Sequence, residues 1–400
     1  MKVLQINCVY DEGSTGKITR DIHLGLLEKG VASRVLCGRR AKGQKGVVGI
    51  VPEWYAKGQN LLSRISGVPY GGCLFSTEKI KAIIRKEKPD IVHLQCINGH
   101  FCNIFRLLAF LKKSGVKTVL TLHAEFMYTA NCSHAGLCEK WKKGCHRCQE
   151  FRSKTHSYFV DRTASSYQRM HRIYRDWDHL FVVAPSRWTA SRAGESGEMA
   201  KRDITVIPNG IDNTNVFYPR EGAKENLIKR YALPEDKKYI LYVSPGFSHL
   251  KGFDLFTDLV KKCENLPFHF LLVGGEYQAD AKNLTVIGKV NDPDLLAELY
   301  SGSDCLVTTS RNETYPTVSL EAQSCGTKVV GFEIGGVMET ILDGMGKVVP
   351  AFDLDLMARA LKEVSDEKPS RERVEMAREY HSKEQMVEKY FCLYKKILPL

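Results

Sequence analysis

No run of 18 apolar residues occurs anywhere in the 400-residue chain, which excludes a membrane-spanning helix of ordinary length. The longest apolar stretches, such as FHFLLV at 268–273, are strand-sized. The N-terminal MKVLQINCV is too short for the apolar core of a signal peptide, so a cytoplasmic location is expected. There is no internal repeat and no low-complexity tract. The 13 cysteines are an odd number in a long chain and form no disulfide framework. Also missing are the Walker A spacing, a G-x-G-x-x-G fingerprint and any aromatic-basic module for nucleic acid. With 43% apolar and 26% charged residues, disorder is excluded as the main state. The length suits two domains, since single cores stop growing near about 250–300 residues.

Positive charge is in excess. Lys and Arg number 58 against 46 Asp and Glu, a net charge of +12. Residues 1–215 hold 34 basic and 18 acidic side chains, or +16; the rest hold 24 and 28, or −4. The densest basic stretches are 34–45, 79–88, 140–154 and 162–175. A solvated surface fits this distribution. So does a face for phosphates, nucleic acid or anionic lipid.

Short apolar segments alternate with helical spacings. Strands are expected over 2–9, 31–37, 91–94, 116–122 and 180–184, with helices over 18–27, 80–85, 104–113 and 163–174. The pattern then restarts. Strands are expected over 239–243, 268–273, 284–287, 305–308 and 329–332, with helices over 254–263, 295–300, 318–324 and 354–364. Such alternation predicts an α/β chain with two parallel, Rossmann-like sheets. The Pro, Gly and Asn of 208–219 mark the seam. The expected domains are 1–215, with a Cys-rich insertion at 124–154, and 216–381, followed by a C-terminal helix at 382–400. Two such domains predict a ligand cleft at the carboxyl ends of their strands.

Several motifs carry chemistry. Gly13, Ser14, Thr15, Gly16 and Lys17 lie between the first strand and helix, where backbone amides can approach a phosphate; a plain tight turn fits equally. In RNETYPTVSLEA, Glu313 precedes a helix start and Glu321 lies inside it, so both could hold ligand hydroxyls with open amides between them. His123 ends a strand, where polar residues of this fold class tend to face ligands. VIPNGID at 206–212 and Lys251-Gly252 are further punctuation. Asp353-Leu354-Asp355 resembles a metal-binding triplet but reads as a helix N-cap. Cys132, Cys138, Cys145 and Cys148 pack four thiols into 17 residues, one half of them a C-x2-C knuckle. They suggest a structural zinc ion, with free thiols or disulfides as the alternatives.

Taken together, the glycine stretch at 13–16, T-x-H at 121–123, PSRW at 185–188, IPNGID at 207–212, KG at 251–252 and E-x7-E at 313–321 resemble the retaining glycosyltransferases of family 4. The likeness spans nearly the whole chain, in the family's order. The stretch from His123 to Cys148 resembles a subset that builds bacterial capsule, exopolysaccharide and O-antigen chains. The resemblance implies the GT-B fold, two Rossmann-like domains facing across a cleft, with the C-terminal helix packing back on the N-terminal domain. It implies that His123 contacts the donor sugar, Lys251 neutralises the leaving diphosphate and Glu313 holds sugar hydroxyls. Glu321 would hold the ribose, amides at Thr317 and Val318 the phosphates, and backbone at Lys289 and Val290 the nucleobase. The turn at Gly13, Ser14, Thr15 and Gly16 would approach donor phosphates or acceptor. An arginine usual in the family five residues before the lysine is replaced by Gly246.

The implied reaction is metal-independent transfer from a UDP- or GDP-sugar to a polyprenyl-diphosphate-linked or oligosaccharide acceptor, with no catalytic cofactor and no nucleic-acid partner. The alternatives are a catalytically silent nucleotide-sugar-binding protein of the same fold and a nucleotide-sugar isomerase. The +16 on the acceptor-side domain suggests an anionic inner-membrane surface as partner. The segment 47–65, with Trp54, Tyr55, Leu61 and Leu62 just after a basic stretch, is expected to dip into that interface.

Overall fold

The computed structural model describes residues 1–278 and 280–398. The chain forms two compact units, 1–208 with 386–400, and 209–385. The boundary falls at Pro208/Asn209, within the IPNGID motif, and the chain returns to the first unit at Met386. Residues 399 and 400 of the expected C-terminal segment lie outside the described residues.

In the first unit the strands are β1 (Lys2–Asn7), β2 (Ala32–Cys37), β3 (Val47–Gly49), β4 (Ile91–Leu94), β5 (Lys117–Thr121), β6 (Leu180–Ala184) and β7 (Ile204–Val206). They form one parallel sheet in the order β3-β2-β1-β4-β5-β6-β7. Every residue of β4 is buried, as expected of a strand covered on both faces. The second unit holds β8 (Lys238–Val243), β9 (Phe268–Val273), β10 (Leu284–Gly288), β11 (Cys305–Thr308), β12 (Lys328–Phe332) and β13 (Gly346–Val349). Its parallel order is β10-β9-β8-β11-β12-β13. Both orders reverse beside the first strand of their sheet, and ligands of this fold class bind at such a switch point.

Three differences from the sequence reading have local causes. The first helix runs Gly13–Glu28, so the glycine-rich pentapeptide is its first turn rather than a loop ahead of residue 18. Strands β3, β7 and β13 are edge strands of three or four residues, too short to show a period. The segment 47–65 contains β3 and then the helix Glu53–Ser66.

The C-terminal helix Lys383–Ile397 carries Met386, Val387, Tyr390 and Tyr394 on its buried side. Met386, Tyr390 and Tyr394 join Ile18, Ile22 and Leu26 of the first helix in one core. A Cβ on Gly25 would come within 2.6 Å of Val387, so the closest approach of the two helices needs a glycine. In the second unit, the outgoing chain at Ile211 pairs with the returning chain at Ser382. Lys383 Nζ reaches Asp212 Oδ2 at 2.8 Å.

Candidate active site

At the carboxyl end of the first sheet, Asn7 donates from Nδ2 to the carbonyls of Val9 (2.8 Å) and Thr15 (3.1 Å). Its Oδ1 accepts from the Cys96 amide at 3.0 Å. One side chain at the end of β1 thus pins the glycine-rich turn to the end of β4. Gly13 has φ +61° with open space around its Cβ position, whereas a Cβ on Gly16 would press within 3.1 Å of the Asp11 amide. Gly13 therefore serves the backbone turn, and Gly16 serves close packing. The N-cap residue Glu12 makes no side-chain cap hydrogen bond to this helix. Ser14 is exposed, Thr15 half-buried, and Lys17 has other interactions.

His123 follows β5. Its Nε2 lies 2.7 Å from Gln95 Oε1. Burial lowers the imidazole pKa to about 4, so the ring is neutral at physiological pH. Behind it, His93 is wholly buried and lowered to about 3 by burial and then by the charge of His123.

At the carboxyl end of the second sheet, the segment after β8 carries Lys251 and the segment after β11 carries Glu313. Lys251 Nζ reaches Glu313 Oε1 at 2.6 Å, and Ser310 Oγ donates to the same oxygen at 2.8 Å. Glycines allow these loops to touch. A Cβ on Gly252 would collide with the Thr309 carbonyl, and one on Gly335 with the Glu313 carbonyl. Gly336 donates its amide to that Glu313 carbonyl at 2.9 Å. The helix Thr317–Ser324 begins four residues after Glu313, and no side chain caps its start. Its first amides at Thr317 and Val318 carry the positive end of the helix dipole. Glu321, 7% exposed, accepts from the buried Tyr300 hydroxyl at 2.8 Å. Lys289 is exposed and Val290 half-buried just beyond β10.

The loop around Gly246 has open space where a side chain would stand. Arg311 is the guanidinium bound to the neighbouring loop. It donates to the His249 carbonyl at 2.8 Å and makes a two-pronged pair with Asp254 at 2.6 Å on each arm. That charge is already paired, so Arg311 does not simply replace the arginine that Gly246 lacks.

The Cys-rich insertion is organised by Glu125. This fully buried carboxylate accepts from Tyr128 Oη (2.7 Å), Arg192 Nε (2.8 Å) and the Ala135 amide. The Arg192 guanidinium lies over Trp141 and Trp188. Trp141 in turn donates to the Cys138 carbonyl at 2.6 Å. The Cys132 thiol is pushed up by burial and then by the nearby Cys145, Cys148 and Cys138, and the Cys145 thiol is pushed up to about 11 by burial. Yet among the described residues, no three or more His, Cys, Asp or Glu side chains are placed to hold a metal ion. The four cysteines lie near one another in this loop, which Glu125 and Trp141 anchor. Asp353 accepts from the Leu356 amide at 2.9 Å, an N-cap, and Asp355 pairs with Lys262 at 2.7 Å.

Sequence reasoning missed Ser310, Tyr300, Asn7, Gln95 and the Glu125–Arg192 pair. For Asn7 and Gln95, the available signal was polar residues at the ends of buried strands, where each needs a specific partner.

The family model for Glycosyltransferase Family 4 matches residues 16–215, and that for group 1 glycosyl transferases matches 223–380. The Escherichia coli K12 protein WcaC, provisionally described as a colanic acid biosynthesis glycosyl transferase, is 22% identical over 99% of this chain and 100% of its own length. Sucrose-phosphate synthase from Thermosynechococcus elongatus shares the fold with a TM-score of 0.72 at 17% identity, over 99% of both chains. HepE of Anabaena, solved with UDP-glucose, shares it with a TM-score of 0.65 at 14% identity, over 99% of this chain and 100% of its own. With two parallel-sheet Rossmann-like domains of the GT-B type and a family match across half its length, the chain belongs to glycosyltransferase family 4.

Proposed function

We propose that the chain moves a sugar from a nucleoside diphosphate sugar to a lipid-linked or oligosaccharide acceptor in cell-surface polysaccharide synthesis, with retention of anomeric configuration and without a metal. The observation that carries this reading is the Lys251–Glu313 pair, with Glu313 four residues ahead of a helix start that no side chain caps and Glu321 buried inside that helix. These groups suit the parts of a nucleotide sugar. Amides at Thr317 and Val318 and the Lys251 ammonium suit the diphosphate, while Glu313 and Glu321 suit hydroxyls of the sugar and ribose. The description of WcaC as a colanic acid biosynthesis glycosyl transferase and the UDP-glucose bound to HepE support this reading.

In the reaction, the bond from the anomeric carbon to the diphosphate oxygen breaks, and the acceptor oxygen bonds to that carbon from the same face. The acceptor proton passes to the departing phosphate oxygen. Negative charge grows on the diphosphate, so Lys251 and the helix amides stabilise the transition state more than the ground state.

The reading includes a membrane-bound acceptor. Helix Glu53–Ser66 buries only Ala56 and Ser63, while Trp54, Leu61, Leu62 and Ile65 are exposed. Exposed Phe159 sits beside this helix, since the Tyr158 amide donates to the Arg64 carbonyl at 2.8 Å. Basic residues around the patch favour anionic lipid. Among the described residues, no helix is long and apolar enough to cross a membrane. The second reading, a silent nucleotide-sugar-binding protein, is favoured by Gly246 and the paired Arg311.

A thermal-shift screen against UDP- and GDP-sugars tests the donor site, because a ligand at 100 times its Kd adds about 2.7 kcal/mol. One donor is expected to raise Tm and to be turned over with an acceptor. Stabilisation by none overturns the donor assignment; binding without turnover across an acceptor panel supports the silent reading.

A further inference from the structure

We propose that Gln95 and Gln5 are positioning residues that fix His123 in the tautomer protonated at Nε2, leaving Nδ1 as a hydrogen-bond acceptor. The catalytic meaning of this relay rests on the donor-side reading of His123; its geometry does not.

The network starts from a group that cannot change its role. The Thr19 carbonyl in the first helix only accepts, and Gln5 Nε2 lies 3.3 Å from it. That contact orients the Gln5 amide, so Oε1 faces Gln95 and accepts from Gln95 Nε2 at 3.1 Å. The Gln95 amide is thereby oriented too, and its Oε1 faces His123 Nε2 at 2.7 Å. Two acceptors cannot share that contact, so the proton sits on Nε2.

The other side of the network agrees. Gln95 Nε2 also lies 3.2 Å from His93 Nδ1, and the Tyr394 hydroxyl lies 2.6 Å from the same nitrogen. Both neighbours can donate, so His93 Nδ1 accepts and its Nε2 carries the proton toward Thr121 Oγ1 at 2.8 Å. Thr121 in turn meets the Tyr390 hydroxyl at 3.0 Å. Gln5, Gln95, His93 and Tyr394 are each at most 1% exposed, so water does not offer alternative partners. One set of proton positions satisfies all of these hydrogen bonds, anchored by a backbone carbonyl at one end and by the C-terminal helix at the other.

A neutral ring locked this way does not shuttle protons at physiological pH. Its Nδ1 carries the lone pair, so that nitrogen can accept a hydrogen bond and cannot donate one. Gln95 is thus tied to turnover through His123 and touches no substrate itself.

The test is long-range 1H–15N spectroscopy on the full chain labelled at histidine, with His123 assigned through a His123→Asn variant. At pH 7 the wild type is expected to show a protonated Nε2 and an unprotonated Nδ1. In Gln95→Leu the His123 signals move toward a mixture of tautomers, and kcat/KM for sugar transfer falls about tenfold, the worth of one positioned hydrogen bond. Gln5→Leu, which leaves Gln95 in place but unanchored, moves the signals in the same direction by less. A wild-type His123 protonated at Nδ1 overturns the proposal, as does an unchanged spectrum in a folded Gln95→Leu. If that variant does not fold, the wild-type spectrum and Gln5→Leu decide. A tautomer shift with unchanged turnover upholds the relay and removes His123 from the proposed transfer site.

Discussion

Lys251 Nζ lies 2.6 Å from Glu313 Oε1, joining loops 62 residues apart at the end of the second sheet. The side chains are 33% and 14% exposed, so the pair adds little to stability, about 1 kcal/mol at most. Its significance lies in position. The ammonium is held by a carboxylate that Ser310 also holds, four residues ahead of the helix Thr317–Ser324.

Replacing Lys251 by Ala is expected to slow transfer by about 10²–10³, the usual loss for one group that stabilises developing negative charge. Thermal stability should change little. Steady-state turnover alongside a melting curve checks both. Full activity in the variant assigns charge stabilisation elsewhere.

Tyr300→Phe deletes the hydroxyl that donates to Glu321. The carboxylate loses a fixed orientation without losing its charge. Weaker donor binding by about five- to tenfold is expected, with a stability loss near 1 kcal/mol. Calorimetric titration of the donor against wild type and variant checks this. Unchanged affinity would mean that Glu321 does not hold the donor.

Glu125 and Arg192 hold the Cys-rich insertion through a buried pair. Arg192→Met should destabilise the protein by about 3–5 kcal/mol, since it strands a buried carboxylate. If the four neighbouring cysteines hold a structural zinc ion, dialysis of the wild type against a strong chelator lowers Tm, and an unchanged Tm with no zinc released removes that expectation. A large Tm drop with release of about one zinc per chain would show that the four cysteines are a metal centre in solution.

Trp54 and Leu61, seven residues apart on helix Glu53–Ser66, and Phe159, next to the Tyr158 that bonds to Arg64, are all exposed on a basic domain. Binding to vesicles rich in anionic lipid is expected, falling tenfold or more when all three become Ser, because each buried apolar side chain is worth about 1.5–3 kcal/mol. Co-sedimentation measures it. Binding indifferent to anionic lipid and to the substitutions would remove the membrane from the account.

The central strands were legible because they are continuous apolar runs. β9 at Phe268–Val273 and β4 at Ile91–Leu94 have the expected bounds. The edge strands β3, β7 and β13 are too short to carry a pattern. Helix Glu53–Ser66 escaped notice because its apolar residues face outward, so no inward stripe marks it. Charged motif residues such as Lys251 and Glu313 were visible as types at a spacing, though their contact was not. The Gln5–Gln95–His123 relay was invisible. Its partners lie 90 and 28 residues apart and meet only once β1, β4 and β5 pair.

The central claim, retaining transfer from a nucleotide sugar, is tested most directly by the proton NMR spectrum of the anomeric position in the isolated product. With an α-linked nucleotide sugar that the protein turns over, the account predicts an α-linked product, with a small coupling for a gluco-configured sugar. A β-linked product from that donor would contradict it.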